Sequence, residues 1–196
     1  MYKYIATFAI LMIMIFPARA HNADRPKNMY DYITEYLTIF DNLEFTEVVA
    51  EIQHESKNDQ TLVTYESKVH DYSWGGLQVR GRTLRDMGYK GDFHNMLNWK
   101  VGLYWGMKYM SICKKRAKRS VLKEYGILDK NIIRKRMFSL YNAGGLYFKM
   151  IFEDGIWQKV FCNREYVKRC EYYYQKFRLV YKVVDSVHQK QRRDQV

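Results

Sequence analysis

Proline and glycine are scarce in this 196-residue chain, which contains 2 prolines and 11 glycines. Both residues weaken or interrupt helices, so their scarcity excludes collagen-like and proline-rich fibrous proteins and favours long helices. A wholly disordered chain is excluded as well, because disorder requires low hydrophobicity and 47% of the residues are hydrophobic. We therefore predict a mainly α-helical, compact domain with a packed core.

Long hydrophobic runs are also lacking, with one exception at residues 5–16. Lys3 precedes this run, and Ala18 and Ala20 follow it as the small residues of a signal-peptide cleavage site. The run is shorter than the roughly 20 residues that a helix needs to cross a bilayer. We predict that residues 1–20 are a secretory signal peptide, cleaved near Ala20, and that the mature protein is periplasmic or secreted. An uncleaved N-terminal anchor is the alternative.

Cysteine is limited to Cys113, Cys162 and Cys170. Their spacing matches no zinc-binding pattern, and no metal site is predicted. In an oxidising compartment, one disulfide and one free thiol is the simplest arrangement. If Cys162 and Cys170 shared a helix, they would lie about 12 Å apart along its axis, which is too far for a disulfide. We therefore predict a bridge from Cys113 to Cys162 or Cys170.

Acidic residues are too few to balance the basic ones, 21 against 33, so the net charge is +12. Loss of Lys3 and Arg19 with the signal peptide lowers it to +10. The basic residues form runs at 114–119, 134–136 and 192–193, which we interpret as solvated helix faces. An exported cation meets acidic envelope polymers and anionic lipid surfaces, so we predict no nucleic-acid partner.

Apolar residues recur at steps of three and four in five segments, which predicts five helices: residues 29–40, 45–56, 96–110, 132–140 and 165–188. The periodicity fails at residues 57–80. We predict a long functional loop there, because irregular segments of about 20 residues inside a compact domain usually carry function. The domain is predicted to span residues 21–188, with residues 189–196 as a basic tail.

Glu55 is the candidate for acid chemistry. In the helix of residues 45–56, Val48 and Glu55 lie at nearly the same angle, so Glu55 lies at the margin of the apolar face. Glu47 and Glu51 are predicted to face water. A carboxyl group at the edge of a core is partly desolvated, which raises its pKa and makes it a candidate general acid. The alternative is a helix-end glutamate that points into solvent.

Four short motifs follow one another along the chain: Glu55-Ser56, Gly-Gly-Leu-Gln-Val at 75–79, Gly-Met-Lys-Tyr-Met at 106–110 and Tyr-Asn-Ala-Gly at 141–144. Their order and approximate spacing resemble those of the soluble lytic transglycosylases. The resemblance covers about residues 44–176 and implies a lysozyme-like helical domain of the goose type, with a long functional loop and a C-terminal helix. It implies peptidoglycan as the substrate and no metal or cofactor.

The resemblance also implies the reaction and its residues. Protonated Glu55 would donate to the oxygen between N-acetylmuramic acid and N-acetylglucosamine, and its carboxylate would then take the proton of the muramoyl 6-hydroxyl as that group closes a 1,6-anhydro ring. Tyr141 would lie beside Glu55 as a second catalytic residue. The implied substrate-binding residues are Ser56, Ser73, Gln78, Val79 and Asn142.

Several features depart from the family pattern. Gly102 stands where the family usually has an asparagine, so one hydrogen bond is expected to be missing. The segment between Glu55 and Gly75 is longer than typical and contains a second Glu-Ser pair at Glu66. Because Glu66 lacks an amphipathic helix before it, Glu55 is the preferred acid.

These departures leave two alternatives open. One is a lysozyme-like muramidase that hydrolyses the same bond with an activated water. The other is a non-catalytic cell-wall-binding or assembly protein on the same scaffold. The small, single-domain size further suggests a cell-envelope secretion or conjugation apparatus as a partner.

Overall fold

The computed structural model describes residues 26–144, 148–153, 156–161 and 163–193, and it describes side chains for residues 26–144 and 163–181. The predicted signal peptide at residues 1–20 lies outside the described residues. The elements in chain order are α1 (Met29–Tyr36), α2 (Phe45–Glu55), β1 (Val63–Glu66), β2 (Asp71–Trp74), β3 (Val79–Arg80), α3 (Gly81–Asp86), a 3-10 helix (Phe93–Leu97), α4 (Trp99–Tyr125), α5 (Lys130–Ala143), β4 (Phe148–Glu153), β5 (Ile156–Phe161) and α6 (Arg164–Arg193). The prediction of a mainly α-helical domain is thus confirmed.

Helix α2 lies at the centre of the domain. All six residues from Glu47 to Ile52 are buried, so this part of the helix is enclosed on every side. The prediction that Glu47 and Glu51 face water is therefore wrong: their exposed fractions are 1% and 0%. The reason is that α6 packs along α2 while α4 covers another side, where Lys114 binds Glu47.

Helix α4 is longer than the predicted helix at 96–110, because it continues through the basic run at 114–119. Asn98 caps its first turn by accepting a hydrogen bond from the Lys100 N–H at 2.9 Å. Gly126 ends the helix in the left-handed conformation, with φ of 68°. Most charges of the run are exposed, while Ala117 between them is buried. The basic side chains of the run therefore lie mostly on the solvent-exposed face of α4, as predicted, while the opposite face of the helix packs in the core.

A small antiparallel sheet occupies much of the segment that we predicted as an irregular loop. Strand β2 pairs with β1 on one side and with β3 on the other. The prediction failed because β1 is an exposed edge strand: Val63, Thr64 and Tyr65 all face solvent, so no alternation of buried and exposed residues marks it. The β4–β5 hairpin was not predicted either.

The C-terminal helix α6 confirms the helix predicted at 165–188 and extends through residues 189–193, which we predicted as part of a tail. Its buried residues Val167, Cys170, Tyr174 and Phe177 belong to the domain core, and its contacts are with α2 and α5. No helix within the described ranges is long and apolar enough to cross a membrane.

The predicted disulfide is not settled by this arrangement. Cys113 in α4 and Cys170 in α6 are both buried, and no disulfide joins these two residues in this structure. Cys162 lies outside the described residues. The bridge from Cys113 to Cys162 or Cys170 therefore stays a prediction.

Gln60 joins the sheet region to the start of α4. Its buried side-chain amide donates to the Met96 carbonyl and accepts a hydrogen bond from the Gly76 N–H at 2.9 Å. A Cβ atom on Gly102 would collide with the Gln60 amide nitrogen and with the Met96 carbonyl oxygen. Gly102 therefore leaves space for the Gln60 amide, and the hydrogen bond that we expected to be missing at position 102 stays a prediction.

We expect the substitution Gln60→Ala to lower the free energy of unfolding by about 1–3 kcal/mol, because the Met96 carbonyl and the Gly76 N–H would lose their buried partner. Gln53→Ala is the matched control, since Gln53 is only partly buried and its side chain bonds the exposed Asn58. Urea unfolding of both variants measures the difference. Equal losses in the two variants would contradict the structural role of Gln60.

Candidate active site

Most of the predicted site residues line one small cleft between the end of α2, the sheet and the end of α5. The cleft has a volume of about 70 Å³. Five of the seven predicted residues line it: Glu55, Gln78, Val79, Tyr141 and Asn142. The lining that the sequence analysis did not assign consists of Glu66, Arg80, Thr83 and Tyr109.

Glu55 is the last residue of α2, and its carboxyl group lies at the edge of the core and of the cleft. Tyr166 Oη in α6 donates a hydrogen bond to Glu55 Oε1 at 2.5 Å. Burial raises the pKa of Glu55 to about 7, the Tyr166 bond acts in the opposite direction, and the charge of Glu66 adds to the increase. Glu55 is therefore partly protonated near neutral pH, while its catalytic role stays a prediction.

Glu51 lies one helical turn before Glu55 and contacts the same tyrosine. Its Oε1 hydrogen-bonds Tyr166 Oη. Burial, followed by the nearby charge of Glu55, raises the pKa of Glu51 well above its ordinary value. The sequence analysis missed both Glu51 and Tyr166, although the spacing of four residues between Glu51 and Glu55 is a signal that they are neighbours on the helix.

Tyr141 is buried at the end of α5, with its ring centroid 4.9 Å from that of Tyr109. Its hydroxyl donates to the Leu77 carbonyl at 2.5 Å, so its one proton is engaged within the protein and the oxygen can serve a ligand as an acceptor. Burial raises the pKa of Tyr141 well above its ordinary value, and the charges of Glu51 and Glu55 add to this. Tyr141 thus lines the same cleft as Glu55, and its part in catalysis stays a prediction.

The two predicted amide side chains both lie at the cleft. Gln78 Nε2 donates to the Leu62 carbonyl at 2.9 Å and to the Gly75 carbonyl at 2.7 Å, which leaves Oε1 as its contact atom for a ligand. Gln78 also adopts a positive φ of 44°. Asn142 is exposed, and its Oδ1 accepts a hydrogen bond from Asn163 Nδ2 at 3.1 Å.

The two predicted serines do not line the cleft. Ser56 is buried, and its hydroxyl donates to the Ile52 carbonyl at the end of α2. Ser73 is also buried, and its hydroxyl donates to Glu66 Oε1. Their geometry therefore gives these serines structural roles, and Ser73 holds Glu66 at the cleft. Direct contact of the two serines with a substrate stays a prediction.

Glu66 and Glu55 line the same cleft, although the sequence analysis preferred Glu55 and set Glu66 aside. Glu66 ends strand β1 at the register position opposite Asp71. No motif reveals this placement, because it depends on the pairing of β1 with β2. Within the described residues no cluster of three or more potential metal ligands occurs.

Comparison with known proteins gave no match: no family model, no curated protein and no solved structure matches the chain. The resemblance to soluble lytic transglycosylases therefore stays an expectation based on the motifs.

Ionisation of Glu55 should make the stability depend on pH. Because its folded-state pKa of about 7 exceeds the ordinary value of 4.5, the folded protein binds more protons between these values than the unfolded chain does. Stability is then lost as the pH rises through about 7, by on the order of 3 kcal/mol from this group. We expect Glu55→Gln to lack this part of the loss.

Urea unfolding from about pH 4.5 to about pH 8 measures this difference. Glu165→Gln, which changes an exposed glutamate of α6, is the control that should keep the full loss. A Glu55→Gln variant with the same pH dependence as the wild type would contradict the raised pKa.

Proposed function

We propose that the protein is a lytic transglycosylase that cleaves the MurNAc-β-1,4-GlcNAc bond of peptidoglycan and forms 1,6-anhydroMurNAc. The observation that carries this proposal is the Glu55 carboxyl group at the cleft, with burial and a hydrogen bond from Tyr166 setting its pKa to about 7. A group with a pKa near the working pH can both give and take a proton. One carboxyl group can therefore serve both steps of this reaction.

In the first step, protonated Glu55 donates its proton to the glycosidic oxygen while the bond from that oxygen to the anomeric carbon breaks. Positive charge develops on the muramoyl ring. In the second step, the Glu55 carboxylate removes the proton of the muramoyl 6-hydroxyl, and the hydroxyl oxygen bonds to the anomeric carbon. Glu55 is protonated again at the end, so the cycle consumes no water and needs no metal.

The residues that line the cleft together with Glu55 support the required positioning. Tyr141 holds the Leu77 carbonyl, and Gln78 holds the carbonyls of Leu62 and Gly75. These bonds fix the segment after β2, so Gln78 and the exposed Asn142 are proposed to orient the glycan from a rigid base. Rigid positioning matters here because the 6-hydroxyl must reach the anomeric carbon of its own ring.

Hydrolysis of the same bond is the second candidate, and one observation favours it. Glu66 presents a second carboxyl group at the cleft. Enzymes that hydrolyse glycosides usually use two carboxyl groups, one as the acid and one to activate water or act as the nucleophile. A muramidase would use Glu55 as the acid and Glu66 as its partner.

The proposed setting of the reaction is the periplasm or the cell exterior, because residues 1–20 have the pattern of a signal peptide. The proposed partner is the glycan strand of peptidoglycan. A cell-envelope secretion or conjugation apparatus is proposed as a further partner from the small size of the chain alone.

Product analysis of digested sacculi tests the proposal. We expect anhydromuropeptides from the wild type and a loss of at least about 100-fold in their release by Glu55→Gln, which cannot donate the proton. Glu165→Gln, with its change on the exposed surface of α6, should behave as the wild type.

Other products would decide between the alternatives. Reducing-end products that disappear in Glu66→Gln would identify a muramidase. Wild-type protein that binds sacculi and releases no more product than Glu55→Gln would contradict both enzymatic functions.

The pH dependence gives a separate test. Because Glu55 must be protonated for the first step, we expect kcat/KM to fall as the pH rises above about 7, where the carboxyl group loses its proton. The rate of sacculus solubilisation, measured between about pH 5 and about pH 9, shows whether activity falls in this way. An activity that keeps rising above about pH 8 would exclude Glu55 as the acid.

A further inference from the structure

Glu51 takes no part in the mechanism above, yet its carboxyl group is completely buried near Glu55. Its Oε1 hydrogen-bonds Tyr166 Oη, which also bonds Glu55 Oε1 at 2.5 Å. Glu51 Oε2 has no hydrogen-bond partner within the described part of the chain. An apolar residue of similar size would avoid the cost of burying such a group, so packing alone does not account for it.

The hydroxyl of Tyr166 limits the charge that the two glutamates can carry. A phenol has one proton to donate, and its oxygen accepts through lone pairs. Tyr166 can therefore donate to only one carboxyl group. The contact with the other requires that carboxyl group to be protonated and to donate to Tyr166 Oη. At most one of Glu51 and Glu55 is then ionised.

Burial decides which of the two keeps its proton. Glu51 is 0% exposed, whereas Glu55 opens onto the cleft. An ionised carboxylate at position 51 would be closed off from solvent and would have, besides Tyr166, only the weak thiol donor of Cys170, and this is costly inside a protein. The described titratable groups that face the Glu51 carboxyl group are all acids, thiols or phenols, and none is a cation. They are Glu55 on its own helix, Cys113 on α4, Tyr141 on α5, and Tyr166 and Cys170 on α6.

We propose that Glu51 is a protonated positioning residue: its carboxyl proton is donated to Tyr166 Oη, and this directs the single Tyr166 proton to Glu55 Oε1. The proton that Glu55 transfers then lies on its other oxygen, Oε2. The role of this arrangement in catalysis rests on the proposed transglycosylase function, whereas the arrangement of protons does not.

The electrostatics favour Glu51 as the group that keeps its proton. Burial is the largest cause of the raised pKa of Glu51, and the charge of Glu55 is the second. The Tyr166 hydrogen bond acts to lower the pKa of both glutamates, so the direction of the Tyr166 proton follows from the difference in burial.

Carbon-13 NMR of the full chain, labelled at the glutamate carboxyl carbons, tests the assignment. The Glu51 signal is identified as the one missing from Glu51→Gln, and the Glu55 signal as the one missing from Glu55→Gln. We expect the Glu51 signal to keep the chemical shift of a protonated carboxyl group throughout the titration of Glu55, while the Glu55 signal titrates at about 7. A Glu51 signal that titrates at or below the pKa of Glu55 overturns the proposal.

The substitution Glu51→Gln gives an independent measurement, because the glutamine amide can still donate to Tyr166. No charge is removed, so we expect the pKa of Glu55 to change by less than about 0.3. We expect Tyr166→Phe to raise the pKa of Glu55 by about 1, because the Glu55 carboxylate loses a hydrogen-bond donor. If the pKa of Glu55 falls by about 1 or more in Glu51→Gln, Glu51 is charged in the wild type, and this overturns the proposal.

Activity separates this proposal from the proposed function. If the wild type cleaves sacculi, we expect Glu51→Leu to lose at least about tenfold more activity than Glu51→Gln, because leucine has no donor for Tyr166. Equal losses overturn the positioning role. If the wild type cleaves nothing, the proposed function fails, and the NMR titration still decides where the protons lie.

Discussion

Three glutamates lie along α2, whose residues from Glu47 to Ile52 are all buried, and the need to remove their carboxyl groups from water constrains what can pack around this helix. Glu47 is paired with Lys114 of α4. Among the residues whose side chains are described, Glu51 contacts Tyr166 and neutral or acidic neighbours. Glu55, at the end of the helix, opens onto the cleft. The surroundings of the carboxyl groups thus change along one helix, from an ion pair at Glu47 to the cleft at Glu55. The proposed chemistry takes place at the end of the helix that reaches the cleft.

A second constraint comes from the segment that follows β2, which is held from several directions. Gln60 accepts a hydrogen bond from the Gly76 N–H. Tyr141 donates to the Leu77 carbonyl, and Gln78 turns back to the Gly75 carbonyl. Each of these side chains satisfies a backbone group at or beside the cleft. The cleft wall is therefore preorganised by hydrogen bonds within the protein, and this lowers the entropic cost of orienting a ligand there.

The sequence was sufficient for five of the six described α-helices, all except α3, and for the location of Glu55, because these depend on the spacing of apolar residues along one segment. It was insufficient for Glu51, because a one-sided helix was assumed and α2 is enclosed on every side. Tyr166 reaches the site by packing across a separation of 111 residues, and Glu66 reaches it through the pairing of β1 with β2. Such neighbours are invisible to local periodicity. Family motifs predicted Gln78, Val79, Tyr141 and Asn142 at the cleft, while the serine hydroxyls turned inward.

The space shared by Gln60 and Gly102 has an evolutionary consequence. The two positions lie in different elements, and a Cβ atom at position 102 would occupy the space of both the Gln60 amide and the Met96 carbonyl oxygen. A larger residue at position 102 must therefore displace a side chain and a backbone group together. Homologous chains that lose this glycine are expected to differ also at position 60 and in the backbone path around position 96.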